Sequence, residues 1–196
     1  MPPSRQHAAE GLRERNKREK LARIRRAARE LFERQGFAGS TAREICRRAR
    51  IGTGTLFLYV RDKRELLFLV FSDEARELLR AGMARTREEM PLPDALMCLF
   101  GAFLEFYARD LALSQVIATE FFYRTGHSAE MTALTAEYLA CIALLVERAR
   151  ARGELRTDVP VAEQVHAFFA QYAASMLAWL GDALIDRDKT ERALHR

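Results

Sequence analysis

Residues 40–63 read STAREICRRARIGTGTLFLYVRDK, and this stretch decides the fold. Thr41, followed three residues later by Glu44, has the form of a capping box and predicts a short helix with Ile45 and Ala49 on its inward face. A turn at residues 50–52 and a second short helix over residues 53–59 follow. This order predicts a helix-turn-helix, a motif that places its second helix in the major groove of DNA.

The second short helix is rich in small residues. We interpret Gly54 as a point where the backbone approaches DNA closely, and Thr53 and Thr55 as hydroxyl donors to phosphates or base edges. Leu56 and Val60 are four residues apart and therefore share one helix face. We expect these two residues to fix the helix to the core.

Three large side chains, Phe57, Leu58 and Tyr59, lie between these two anchors. A helix this short has one inward face, so at least one of the three must be exposed. An exposed apolar group can contact a thymine methyl, and the Tyr59 hydroxyl and the Lys63 ammonium can bind phosphates.

Towards the N-terminus, a helix is predicted over residues 17–34 and is ended by Gly36. Its apolar residues recur every three or four positions and form one stripe: Leu21, Ile24, Ala28, Leu31 and Phe32. Residues 1–16 are expected to form a basic arm, disordered in solution or reaching into the minor groove. The predicted DNA-binding domain is therefore residues 17–61.

Residues 62–196 read as further helices. Asp62 is predicted to cap a helix that continues to Pro91, and later boundaries fall near Asp110 and at Gly153. Pro160 suits the first turn of a helix that runs to about residue 180. Alternating strand patterns are absent, so the predicted fold is all-α, with a three-helix DNA-binding domain and a larger helical bundle.

The charge is divided between the two parts of the chain. Residues 1–64 hold 18 Lys and Arg against 7 Asp and Glu, a net charge of +11, and the rest holds 14 against 20, a net charge of −6. A basic N-terminal third on an acidic remainder predicts a polyanion-binding module joined to a domain of another function. A basic helical protein that binds a membrane surface or an acidic partner is the alternative, but it needs neither Gly54 nor a capped second helix.

Several other classes of protein are disfavoured. No apolar run approaches the roughly 18 residues of a membrane span, and no signal peptide is recognisable, so we expect a cytoplasmic protein without a membrane partner. Cys46, Cys98 and Cys141 are too widely spaced for a zinc site, and no disulfide framework is expected. Because no nucleophile, phosphate-loop or metal motif is present, we expect neither a cofactor nor an enzyme.

The same motifs resemble those of the TetR family of transcriptional regulators. The matching segments are AARELFERQGF, STAREICRRA and IGTGTLFLYVRDKRELL. The resemblance implies a homodimer on a palindromic operator in double-stranded DNA, and a C-terminal helical domain that binds a small-molecule effector. A repressor is the expected form, and an activator of the same fold is the alternative. The implied DNA-binding residues are Thr41, Arg43, Thr53, Gly54, Thr55, Phe57, Leu58, Tyr59 and Lys63.

Four positions depart from the family pattern. Arg50 stands where glycine is common and Gly52 where a capping residue is common, so we expect a differently shaped turn. Leu58 and Tyr59 stand where an aromatic residue and a histidine are common. The operator sequence therefore cannot be transferred from the family.

The effector is expected to bind among the helices of residues 62–152, where apolar and aromatic side chains are dense. The candidate ligand-binding residues are Phe100, Phe103, Tyr107, Glu120, Phe121 and Tyr138. If Glu120 is buried, it needs a cationic ligand group or an internal partner, Arg109 or Arg124, and Glu105 poses the same question. A hydrophobic drug-like molecule, an acyl chain and a phenolic compound are equally compatible.

The resemblance places the dimer interface on the last two helices. The chain after residue 181 is short and polar, so the final helix is expected to be abbreviated and the preceding helix to carry more of the contact. The candidate interface residues are His166, Phe169, Ala173, Met176 and Leu177.

Overall fold

The computed structural model describes residues 5–123 and 129–181, with side chains for residues 14–122 and 129–181. In these ranges the chain is all-α, as the sequence predicts. It forms α1 (Arg5–Gly39), α2 (Ala42–Ala49), α3 (Thr53–Leu56), α4 (Lys63–Ala84), α5 (Leu92–Arg109), α6 (Leu111–Tyr123), α7 (Ala129–Ala151) and α8 (Val161–Gly181). The chain divides into two compact units, Met1–Phe71 and Ser72–Arg196.

The first unit is built around the predicted helix-turn-helix. The apolar stripe of α1 is buried at Ile24, Ala28, Leu31 and Phe32, and α2 packs on α1. The predicted inward residues of α2 and the two anchors beyond it are also buried: Ile45, Ala49, Leu56 and Val60. These buried residues confirm the predicted core.

Helix α1 begins at Arg5, whereas the sequence predicted a start at residue 17. Residues 5–16 are therefore helical and do not form an irregular arm. Arg, Glu, Gln and Lys are good helix formers, and Arg15 adds an ion pair with Glu19 at 3.4 Å, one turn further along. At its other end, α1 is interrupted at Gly36, which has a φ of 71°, as expected for a glycine that ends a helix.

Helix α2 is opened by the predicted capping box. The Thr41 hydroxyl oxygen accepts from the Glu44 N–H at 3.2 Å, and the Glu44 carboxylate accepts from the Thr41 N–H at 3.3 Å. The hydrogen bond from the Thr41 side chain lowers the pKa of Glu44. The box fixes the start of α2 and thereby the position of Thr41 and its neighbours.

The turn between α2 and α3 has the geometry of a glycine-ended helix, although Arg50 occupies the key position. Arg50 is left-handed, with φ 54° and ψ 51°, and the Ile51 N–H donates to the Cys46 carbonyl at 3.0 Å. This is a Schellman ending. The expectation that the turn takes another shape is therefore wrong, because the chain keeps the turn and bears the strain of a non-glycine residue.

Replacing Arg50 with Gly is expected to raise the free energy of unfolding by roughly 0.5–1 kcal/mol. A left-handed non-glycine residue costs about 1–2 kcal/mol, and the extra chain entropy of glycine offsets part of the gain. Thermal unfolding of the two proteins measures the change. Arg50→Ala is the control, since it removes the side chain and keeps the strain; equal stabilisation by both variants contradicts the explanation.

Helix α3 is shorter than predicted, ending at Leu56 instead of residue 59. The chain continues as tight turns, in which the N–H groups of Tyr59 and Val60 both donate to the Leu56 carbonyl, at 2.9 and 3.1 Å. Leu56 and Val60 thus stay on the same side, although the helix itself has ended.

In the second unit, α4 ends at Ala84 and does not reach Pro91 as predicted. The carbonyls of the following loop are satisfied from outside it: the Arg152 guanidinium donates to the carbonyls of Glu88 and of Met90. This long-range contact replaces the helical hydrogen bonds, which a local pattern could not reveal. The predicted cap of α4 is confirmed, because Asp62 accepts from the Glu65 N–H at 2.8 Å.

Helices α5 to α8 form the core of the second unit. α7 packs against α8 and α5, and α6 packs against α8 and α5. Glu154, just after α7, accepts from the first N–H of α5, on Leu92, at 2.8 Å. The predicted boundaries at Asp110 and Gly153 are confirmed: Asp110 accepts from the Leu113 N–H at 3.0 Å, and Gly153 has a φ of 77°.

Among the described residues, α7 is long and apolar enough to cross a membrane by length and composition. Core helices of soluble proteins meet the same criterion. The side chains of α7 that are buried within the unit include Met131, Leu134, Ile142, Leu145 and Val146. Packing in the bundle therefore accounts for its composition.

Candidate nucleic-acid interface and effector site

The start of α2 and the α3 segment expose most of the residues predicted to contact DNA. Thr41, Arg43, Thr53 and Gly54 are exposed, and Thr55 and Tyr59 are partly exposed. We call these residues, together with Phe57 and Leu58, the recognition surface.

Two apolar side chains project from the recognition surface. Leu58 is 82% exposed and Phe57 is 51% exposed, while the neighbouring anchors Leu56 and Val60 are buried. This confirms that at least one of the three large side chains is exposed. The anchors fix the segment from behind, so that its exposed apolar groups are available to a partner such as a thymine methyl.

Gly54 is not required by the fold of the chain. A Cβ atom built on it would meet no protein atom within 4 Å, and its φ is not in the positive range that favours glycine. Its lack of a side chain therefore leaves room at the recognition surface for an outside partner.

Lys63 differs from its prediction as a phosphate contact. Its ammonium donates to the Ser40 carbonyl at 2.7 Å and to the Ala38 carbonyl at 3.4 Å, and it lies 4.4 Å from the centre of the Phe37 ring. Burial lowers the pKa of Lys63. Its side chain thus joins the start of α4 to the segment between α1 and α2, a role that a motif match cannot reveal.

Lys63→Met is expected to lower the free energy of unfolding by about 1–3 kcal/mol, because it leaves carbonyls around the buried Ser40 without a donor. Urea unfolding measures this loss. Arg47→Met is a matched control at an exposed position of α2 and should change stability by less than about 0.5 kcal/mol. Unchanged stability in Lys63→Met, with weaker DNA binding, would return Lys63 to the predicted phosphate contact.

A basic groove of about 270 Å³ lies between α1 and α2 and was not predicted from the sequence. Its charged lining residues are Arg23, Arg26, Glu30, Arg48 and Arg50. Glu30 pairs with Arg48 at 3.3 Å and neutralises one of the four arginines. The surplus positive charge suits a polyanion, and only the fold brings these two helices together.

In the second unit, four of the six predicted ligand-binding residues lie in one buried aromatic cluster. The Phe103 ring is 5.0 Å from Tyr138 and 6.3 Å from Tyr107, and Phe100 is 6.4 Å from Tyr138. All four side chains are buried. Helices α5 and α7 thus contribute to one apolar region.

Two residues of α8 join this aromatic cluster and were missed as ligand candidates. The Tyr172 ring is 4.6 Å from Phe100 and 5.8 Å from Tyr138, and the Phe169 ring is 5.7 Å from Tyr138. The sequence placed Phe169 at a dimer interface, because α8 was interpreted as an interface helix. The spacing of Phe169 and Tyr172 on one helix face would have allowed the alternative.

The other two predicted ligand-binding residues lie on α6. Glu120 is partly exposed, as is Phe121, whose ring packs against Phe122 at 4.7 Å. Glu105 is exposed, so it does not need a buried partner. Of the proposed partners for Glu120, Arg109 is exposed and Arg124 lies outside the described residues.

Three tyrosine hydroxyls in the aromatic cluster influence one another. Burial raises the pKa of Tyr107 to about 12, and burial, followed by the neighbouring tyrosines, raises the pKa of Tyr138 and of Tyr172 well above 10. The hydroxyls of Tyr138 and Tyr172 are buried, yet neither has a neighbour with hydrogen-bond geometry. All three phenols therefore remain neutral near pH 7.

The predicted dimer-interface residues on α8 fall into two groups. Ala173 and Met176 are buried within the chain, which leaves them little surface for a partner. His166 is exposed, and Phe169 and Leu177 are partly exposed. The prediction of an abbreviated final helix concerns residues after 181, which lie outside the described residues. Among the side chains described, no group of three or more His, Cys, Asp or Glu could hold a metal ion.

A helix-turn-helix unit with an exposed recognition surface, followed by a helical bundle around buried aromatic residues, defines a DNA-binding regulator with an effector domain. The family model of bacterial regulatory proteins of the tetR family matches residues 24–70. The chain belongs to the tetR family of transcriptional regulators. Members of this family are in general transcription factors without enzymatic activity.

Solved structures similar to this chain include three regulators called FadR. One is from Thermus thermophilus, a TetR-family transcriptional repressor in complex with lauroyl-CoA; it is 28% identical, with 89% of this chain and 91% of that chain covered and a TM-score of 0.68. Another is from Bacillus subtilis in complex with stearoyl-CoA, 18% identical, with 89% and 95% covered and a TM-score of 0.69. The third, a fatty acid degradation regulator from Bacillus halodurans, is 16% identical, with 90% and 92% covered and a TM-score of 0.64. No curated protein matches the chain in sequence.

Proposed function

We propose that the protein is a cytoplasmic, homodimeric repressor that binds a palindromic operator and is released when a long-chain acyl-CoA binds to its second unit. The observation that carries this proposal is the 28% identity, over 89% of the chain, to a repressor in complex with lauroyl-CoA. Of the three effector classes that suit the sequence, this identity favours the acyl chain.

On the DNA side, we propose that the recognition surface enters the major groove. Arg43, Thr53 and Thr55 carry polar groups for base edges or phosphates, and the exposed Leu58 and Phe57 supply apolar contacts. The Tyr59 hydroxyl is assigned to a phosphate. Lys63 is left out of this set because its ammonium is bound to backbone carbonyls.

On the effector side, we propose that the acyl chain lies against the aromatic cluster. Phe100, Phe103 and Phe169 offer ring surface from three different helices, and burial of each CH₂ group of a ligand is worth about 0.8 kcal/mol. Glu120 and Phe121 remain candidates at the partly exposed edge of the same unit.

For the dimer, we propose that the exposed side of α8 meets its copy in a second chain. His166, Ala170, Ala174 and Ala178 recur every four residues along α8 and are all exposed. Mostly small residues on one helix face allow close approach of a second helix. Two recognition surfaces held about one DNA turn apart would then reach successive major grooves.

Release requires that the effector prefer a form of the dimer that does not fit the operator. Helix α4 begins in the first unit and ends in the second, since the boundary between the units falls at Phe71 and Ser72. We propose that binding in the second unit moves α4 and changes the spacing of the recognition surfaces.

Selection of bound sequences from random duplex DNA, at fixed salt because phosphate contacts make affinity salt-dependent, tests the DNA side. The wild type should recover one palindrome, which Thr55→Ala/Tyr59→Ala should lose, and lauroyl-CoA should release the wild type from that palindrome. Equal, weak recovery without a consensus from both proteins would refute sequence-specific binding. A consensus that lauroyl-CoA leaves bound would refute the effector alone.

A further inference from the structure

The hydroxyl groups of Tyr138 and Tyr172 have no structural role within the described part of the chain. Tyr138 is 7% exposed and Tyr172 is 3% exposed, and neither hydroxyl has a neighbour with hydrogen-bond geometry. A buried hydroxyl without a partner costs about 1–3 kcal/mol, which phenylalanine at either position would avoid. The two rings pack among aromatic side chains, so the apolar contacts alone do not explain the choice of tyrosine.

The two hydroxyls come together from different helices. Tyr138 lies on α7 and Tyr172 on α8, and their rings are stacked with centres 5.8 Å apart. Because both phenols stay neutral and protonated near pH 7, each can donate one hydrogen bond. Two adjacent donors suit a single oxygen with two lone pairs.

The surroundings favour a neutral acceptor over an anion. Phe100, Phe103 and Phe169 surround the pair, and the pKa of Tyr138 is shifted by burial, by Tyr107 and Tyr172, and by Cys141, with no basic side chain among these causes. Burying a carboxylate there without a cation would cost far more than burying a carbonyl.

We infer that the Tyr138 and Tyr172 hydroxyls donate hydrogen bonds to the carbonyl oxygen of a bound acyl thioester, and so select a thioester over a free fatty acid. This inference rests on the proposed function, because it assigns two residues of the effector site within it. The Tyr107 hydroxyl, which influences the other two, lies at the same point of the cluster and positions them.

The test compares two ligands that differ by one carbonyl oxygen. Lauroyl-CoA and its thioether analogue S-dodecyl-CoA are titrated into the full-length wild type and into Tyr138→Phe/Tyr172→Phe, with lauric acid as a third ligand. The wild type should bind lauroyl-CoA at least about tenfold more tightly than the thioether or lauric acid, as two hydrogen bonds allow. The double variant should bind lauroyl-CoA and the thioether equally.

A second measurement guards against a variant that fails to fold. Without ligand, the double variant should unfold at the same or a higher temperature than the wild type, because the ring stacking remains and two unpartnered hydroxyls are removed. A large fall in this temperature would mean that the hydroxyls stabilise the unliganded protein, which overturns the inference.

The outcomes separate this inference from the proposed function. If the wild type binds neither CoA compound, the proposed effector is wrong and the inference fails with it. If the wild type binds lauroyl-CoA and the thioether equally, or binds lauric acid as tightly as lauroyl-CoA, acyl-CoA remains the effector and the assignment of the two tyrosines is overturned.

Discussion

Gly54→Val is expected to weaken operator binding by about 100-fold or more, about 2.7 kcal/mol, while leaving the chain as stable as the wild type. The new side chain would project from the recognition surface, where a Cβ atom meets no protein atom within 4 Å. The fold can therefore accept it, but a backbone that lies close against DNA cannot. Operator affinity and thermal unfolding of the same preparation separate the two effects.

The matched control for this prediction is Gly101→Val. Gly101 lies on α5 in the second unit, and a Cβ atom there also meets no protein atom within 4 Å. The control should bind the operator as tightly as the wild type. Full operator affinity in Gly54→Val would show that DNA does not approach this segment, and would contradict the proposed interface.

Alkaline pH is expected to destabilise the second unit through its buried tyrosines. The pKa of Tyr107 is raised from 10 to about 12, so the folded state binds its phenolic proton more tightly than the unfolded state does. The associated stability is fully present below pH 10 and is lost as the pH rises from 10 through 12. For Tyr107 alone the total loss is about 2.7 kcal/mol, at about 1.36 kcal/mol per pKa unit.

Urea unfolding at pH 8 and at pH 12, with phenolate absorbance as the probe, measures this loss. The absorbance of the buried tyrosines should appear with unfolding and not before it. Tyr107→Phe is the control, because it removes one titrating group and should lose less stability over the same range. Equal losses in the two proteins would contradict a raised pKa at Tyr107.

The features that sequence predicted correctly depend on neighbouring residues. The capping box of Thr41 and Glu44 and the positive φ of Gly36 each follow from interactions within a few positions. The burial of Leu56 and Val60 follows from their spacing on one face of a short segment. Such local rules were enough to locate the helix-turn-helix.

The features that sequence missed depend on contacts between distant residues. Helix α4 ends early where Arg152 binds the carbonyls of the next loop, and Lys63 binds a carbonyl 23 positions earlier in the chain. Tyr172 joined the candidate effector site only once α8 was packed beside α5 and α7. No periodicity in the sequence reveals which helices meet, so the site was predicted only in part.

The central claim is that the effector and operator DNA oppose each other on one protein, and reciprocal affinities test it most directly. The affinity for lauroyl-CoA is measured with and without saturating operator, and the affinity for the operator with and without saturating lauroyl-CoA. The account predicts that each ligand weakens the other by the same factor, because coupling between two sites is reciprocal. A lauroyl-CoA affinity that is unchanged by the operator would contradict it.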